Sequence, residues 1–115
     1  MKTVKKNTDF KKIYSGVSFY THAFRLHYIF DETSQESPEF GFTVSKKTVG
    51  KKAVHRNLIK RRFKEAFRQY FNISYFNGYR FVVTAIKATK ESEWSEYIAS
   101  VKYCQKRLLR LQNAD

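Results

Sequence analysis

The stretch VSKKTVGKKAVHRNLIKRRFKEAF (residues 44–67) links the end of an apolar segment to the strongest helical pattern in the chain. A helix over 53–71, at about 100° per residue, puts Ile59, Phe63, Ala66, Phe67 and Tyr70 on one face. Lys60, Arg61, Lys64 and Arg68 fall on an adjoining face with Asn57, while Arg62 lies away from that arc. Upstream, FGFTVS (40–45) has the aromatic and β-branched make-up of a strand, and Gly41 within it predicts a close backbone approach. Downstream, RFVVTAI (80–86) reads as a buried strand. The basic helix therefore connects two strands.

The flanks complete the pattern. Residues 7–15 predict a short helix, with Asn7 or Thr8 as cap, Asp9 in its first turn and Gly16 at its end. Phe10, Ile13 and Tyr14 share a face of it. Residues 17–20 and 23–30 read as strands, and in the second Phe24, Leu26, Tyr28 and Phe30 alternate with Arg25, His27 and Ile29. DETSQESPE (31–39) is a polar loop. Residues 93–111 predict a last helix, capped by Ser92, with Glu93 and Glu96 at its positive end. Its apolar stripe runs through Trp94, Tyr97, Ile98, Val101, Cys104 and Leu108, with Trp94 as a core anchor and Cys104 as a core thiol. The order is α-β-β-β-α-β-α: one α+β sandwich over residues 1–115, a four-stranded sheet packed with helices. With 11 Phe and 8 Tyr, a chain of 115 residues has the apolar material for a core.

Charge narrows the function. The net charge is +13, and residues 46–68 hold ten basic residues against one acid, Glu65. Such a one-signed excess opposes folding and calls for a polyanion, either nucleic acid or an anionic membrane surface. No run of 18 apolar residues is present to span a membrane, and MKTVKKNTDF lacks the apolar core of a secretory signal. A single cysteine, Cys104, allows no internal disulfide and suits a reducing cytoplasm. Most charge runs are solvated faces, but those mix signs and this one does not. Arg presents a planar fork to phosphate, Lys a mobile point charge, and Asn57 both a donor and an acceptor. The expected nucleic-acid interface is Lys46, Lys47, Lys51, Lys52, Arg56, Asn57, Lys60, Arg61, Lys64 and Arg68.

Nothing comparable points to catalysis by the chain. Asp31, Glu32, Glu36 and Glu39 sit in the polar loop and lack the close clustering of a two-metal nuclease site. His22, His27 and His55 have no ligand spacing. No catalytic residue, metal ligand or protein-bound cofactor is assigned. A helix-turn-helix DNA binder would need another helix at turn distance before the basic one, where this chain has a strand, so DNA is not an expected partner.

Arg56-Asn57-Leu58-Ile59-Lys60-Arg61 resembles the R-N-x-x-K-R signature of the protein subunit of bacterial ribonuclease P, the ribonucleoprotein that removes 5′ leaders from precursor tRNA. Val44-Ser45-Lys46-Lys47 matches the strand end before the signature, and Phe63-Lys64-Glu65-Ala66-Phe67 the helix after it. Lys5-Lys6-Asn7-Thr8-Asp9-Phe10-Lys11-Lys12-Ile13-Tyr14 is similar to the family's first helix. At Lys64 the family often has Arg. The resemblance implies a left-handed β-α-β crossover through residues 40–86, against the usual handedness. It also implies that the catalytic RNA is one partner, that this RNA holds the magnesium ions and does the chemistry, and that the protein alone does not cleave. The second implied partner is the 5′ leader, held in a cleft between the first helix and the sheet. Phe10 and Tyr14 are the leader-binding candidates, with Arg25 or His27 facing the same cleft if the open face of the sheet is theirs. The rival is a structural RNA-binding protein of the ribosomal type, which needs no leader cleft.

Overall fold

The structure is a computed structural model and describes residues 1–114. The chain runs β1 (Lys2–Thr3), α1 (Asn7–Tyr14), β2 (Val17–Tyr20), β3 (Phe24–Phe30), β4 (Glu39–Thr43), α2 (Lys46–Val49), α3 (Ala53–Tyr70), β5 (Tyr79–Ala85) and α4 (Trp94–Gln112). Two 3-10 turns, Ile73–Tyr75 and Lys87–Thr89, flank β5. The sheet has five strands in the order β1-β4-β5-β3-β2. The strand beyond the expected four is β1, whose residues Lys2 and Thr3 pair in parallel with Glu39 and Phe40. Two polar residues carry no period-two signal, so only the tertiary pairing defines this strand.

β4 and β5 are parallel neighbours, and the crossover between them is made by α2 and α3. The pleat gives the sheet two different faces. Phe40 and Phe42 of β4, Phe81 and Val83 of β5, and Phe24 and Leu26 of β3 belong to the main core with α3 and α4. There Phe67 lies 5.3 Å from the Phe40 ring and Phe63 lies 5.7 Å from both Phe24 and Tyr97. Truncating either α3 phenylalanine to Ala would remove about 3–5 kcal/mol of stability. α4 contributes Tyr97, Val101, Cys104 and Leu108, and burial pushes the Cys104 thiol well above its ordinary pKa.

The opposite face carries a smaller cluster of Val4, Ile13 and Val82, with Phe10 and Ile29 packed against it. Gly41 makes this possible. A Cβ there would fall 2.4 Å from Phe10 Cε1, so α1 reaches the sheet only because β4 has no side chain at that point.

Several local expectations need correction. The N-cap of α1 is Lys6, with no side-chain cap; Asn7 and Thr8 already lie within the helix, and Asp9 forms an ion pair with Arg80 at 3.0 Å. Glu39 belongs to β4 instead of the loop, because Arg80 on the adjacent strand holds its carboxylate at 2.8 Å. α4 is capped by Glu93, which forms a capping box with Glu96; the Ser92 hydroxyl donates instead to the Ala88 carbonyl at 2.7 Å. Trp94 is not a core anchor. It opens α4 at the margin of the core, is 39% exposed, and leans on Tyr97 from one side. Lys46 and Lys47 do not extend a strand: they open α2, whose first turn is capped when Ser45 Oγ accepts from Thr48 N–H at 3.2 Å.

Candidate RNA interface

α3 presents Asn57, Arg61, Lys64 and Arg68 to solvent, with Lys60 half-buried beside them. The face works because Ile59, Phe63, Ala66 and Phe67 anchor the opposite side of the helix in the core. No acid occupies its first turn. Glu65 is the one acid of the segment, and it takes Arg68 in a two-pronged pair, 3.1 and 2.9 Å, which holds the Glu65 carboxyl below its ordinary pKa. Arg68 is thus partly neutralised, whereas no salt bridge involves Lys60, Arg61 or Lys64 among the described residues. Lys46, Lys47, Lys51 and Lys52 are exposed on α2 and the turn that follows.

Arg56 departs from this surface. It lies two turns before Phe63, close to the core azimuth of α3, and it is half-buried. Its Nη1 donates to the carbonyls of Gly50 and Lys51 at 3.3 and 2.8 Å.

The second surface lies between α1 and the sheet. Phe10 borders a groove of about 190 Å³ whose other walls include Gly41, Phe42, Lys60 and Lys64. The aromatic side of α1 and the cationic side of α3 therefore meet at the β4 edge. β1 pairs with Glu39 and Phe40, so among the described residues the Gly41–Thr43 edge has no strand neighbour on that side. Tyr14 is 40% exposed, and its hydroxyl donates to Thr43 Oγ1 at 3.0 Å. Its ring stands edge-on to His27 at 4.8 Å.

His27 and Arg25 do face this side. His27 is buried and its Nδ1 has no partner among the described residues, and burial, followed by the nearby Arg25 charge, lowers its pKa. Arg25 lies over the Tyr20 ring at 5.0 Å and donates from Nε and Nη2 to Ser18 Oγ at 3.3 and 2.8 Å. Thr43, Thr84, Arg25 and Tyr20 are successive register partners across four strands. Sequence reasoning missed Thr43, Thr84, Ser18 and Tyr20. Thr43 was within reach, since it stands two residues from Gly41 and so on the same face. Thr84 and Tyr20 depend on inter-strand register, which no local pattern supplied.

Among the described residues no group of three or more His, Cys, Asp or Glu side chains is placed to share a metal ion. His22 pairs with Glu96 at the start of α4, and His55 is exposed. No helix among them is long and apolar enough to cross a membrane.

Known proteins match this architecture. The family model for ribonuclease P matches residues 1–109. The ribonuclease P protein component of Carboxydothermus hydrogenoformans is 34% identical over 106 residues, covering 91% of this chain and 89% of its own. The Staphylococcus aureus RNase P protein has a similar structure, with a TM-score of 0.73 at 26% identity over 98% of this chain and 96% of that one. A mutant of the S. aureus protein described as having defective mRNA degradation activity superposes with a TM-score of 0.75 at 28% identity, over 94% and 87%. On these matches, which span nearly the whole fold and the basic helix within it, the chain belongs to the ribonuclease P protein family.

Proposed function

We propose that this chain binds the catalytic RNA of ribonuclease P and the 5′ leader of precursor tRNA, and so supports 5′ maturation of tRNA. The observation that carries this reading is the junction at Phe10, where an aromatic helix laid on an open sheet face meets Lys60 and Lys64 across one groove. Lys46, Lys47, Lys51, Lys52, Lys60, Arg61 and Lys64 neutralise phosphates of the catalytic RNA, Asn57 hydrogen-bonds the same backbone, and Arg68 adds what Glu65 leaves of its charge. The leader is single-stranded, so its bases are free to stack on Phe10 and Tyr14, a mode of recognition that tolerates any base. Thr43, Thr84 and Arg25 line the same side with donors for phosphate or ribose oxygens.

The phosphodiester is cleaved by the RNA subunit with its magnesium ions, and the protein's part is to hold the two RNAs together against their mutual repulsion. The site of action is the cytoplasm, where the Cys104 thiol stays reduced. Neither a membrane nor DNA is a partner. A ribosomal-type structural protein would share the cationic strip but would have no use for the α1 cleft.

Reconstitution decides between them. Precursor tRNA is incubated with a cognate catalytic RNA at low magnesium, with and without this protein, and with the protein alone. The protein should stimulate cleavage in the presence of the RNA and cleave nothing by itself. An mRNA substrate run in parallel tests whether the activity named for the S. aureus relative extends to this chain. Stimulation that is equal for precursors with a single-nucleotide leader and with a long leader would favour the structural role.

A further inference from the structure

We propose that Arg56 is a positioning residue: it braces the Gly50–Lys52 turn so that Lys51 and Lys52 face the RNA, and it is not itself a phosphate ligand. The proposal rests on the reading that these two lysines contact the catalytic RNA. Three observations carry it. Arg56 sits on the inward azimuth of α3, half-buried, while its neighbours Asn57 and Arg61 are exposed. Its Nη1 is shared between the Gly50 and Lys51 carbonyls. Backbone bonds fix only the ends of the turn, Gly50 N–H to the Lys46 carbonyl at 2.8 Å and the His55 and Arg56 N–H groups to the Lys52 carbonyl, and among the described residues no side chain but Arg56 holds its middle, where Gly50 has φ +106° and open space about it. The nearest packed anchor is Val49, just before the turn.

The arrangement has an electrostatic consequence. Carbonyl oxygens repel phosphate, and here two of them are turned onto a guanidinium. The same contact offsets the repulsion that a third cation adds beneath Lys51 and Lys52. Without Arg56 the turn is free to rotate its carbonyls outward, and the two ammonium groups lose a fixed presentation.

The test is a mutant cycle on affinity for the cognate catalytic RNA at constant salt, with amide exchange of the free protein as a second readout. Arg56→Ala is measured in the native background and in a Lys51→Ala/Lys52→Ala background. Folding of each variant is checked by circular dichroism, and Arg56→Met, which keeps the aliphatic stem, replaces Arg56→Ala if the latter is unfolded. A brace predicts about a tenfold loss of affinity in the native background, under threefold in the double-alanine background, and faster exchange at the bonded amides on either side of the turn, Gly50, His55 and residue 56, before any RNA is added. A direct phosphate ligand predicts the same factor in both backgrounds with unchanged exchange, and that result overturns the proposal. So does a native-background loss under threefold. If Lys51→Ala/Lys52→Ala alone leaves affinity unchanged, the fault lies with the reading of the lysines, and Arg56 has nothing to position.

Discussion

The cationic strip of α3 and the cleft beneath α1 are built in opposite ways. On the strip, Arg61 and Lys64 are long, exposed side chains on one helix, and their collective effect is set by how many charges face the same way. Small errors in placement matter little, because counterion release counts neutralised phosphates more than their geometry. In the cleft, Phe10 depends on Gly41, Tyr14 is fixed through Thr43 and His27, and Arg25 is held over Tyr20 by Ser18. These contacts involve three strands and a helix, and each depends on register. A surface that works by charge tolerates change; one that works by shape does not.

The largest expected effect is that of salt on the strip. If about six phosphates are neutralised, raising salt from 50 to 200 mM should lower affinity for the catalytic RNA roughly a thousandfold. The ratio of precursor to mature tRNA affinity should move far less, because stacking is not counterion release. A flat salt response in RNA binding would break the contrast at once.

Arg61→Ala comes next. A charge-assisted hydrogen bond to phosphate is worth about 1.5–3 kcal/mol, so assembly with the catalytic RNA should weaken tenfold or more. Because the defect lies in assembly, excess protein should restore cleavage of precursor tRNA. Arg61 is exposed and anchors nothing in the core, so the melting temperature should hold. A large drop in it would mean that Arg61 is structural.

The same contrast explains what the sequence made legible. The α3 face follows from helical period alone: of the five residues expected on it, Ile59, Phe63, Ala66 and Phe67 are buried, and Tyr70, at the end of the helix, is half-buried against the core. Gly41 was readable as a close approach because a glycine inside an apolar strand needs a reason, and the Phe10 ring supplies it. Arg56 was readable only in part: the same period sets it two turns before Phe63, toward the core, but does not give its partners. Charge and motif place it with Lys60 and Arg61, and only the folded turn shows its guanidinium engaged with Gly50 and Lys51. β1 and the row from Thr43 to Tyr20 were hidden for another reason: pairing between distant strands leaves no trace in the local pattern.

The smallest expected effect is a pH dependence from the cleft. The His27 pKa is lowered in the fold from its ordinary 6.5, so the unfolded chain takes up the proton first. His27 therefore costs nothing well above pH 6.5, and its neutral burial lowers stability as the pH falls through 6.5, until the folded form is protonated as well. Denaturant titrations from pH 8 to 5 on the native chain and His27→Phe should diverge only toward the acidic end. Parallel curves would mean that His27 does not titrate differently in the two states.

The central claim is that the two surfaces bind different RNAs, and one pair of binding curves tests it most directly. Precursor and mature tRNA are titrated against holoenzyme at saturating protein, carrying native Phe10, Phe10→Ala or Phe10→Leu; the last keeps apolar packing over Gly41 and removes the aromatic ring. One stacked base is worth about 1–3 kcal/mol, so both variants should weaken precursor binding by roughly five- to a hundredfold and leave mature tRNA binding unchanged. Equal shifts of the precursor and mature curves would contradict the account, making Phe10 a packing or assembly residue and leaving the cleft without its leader.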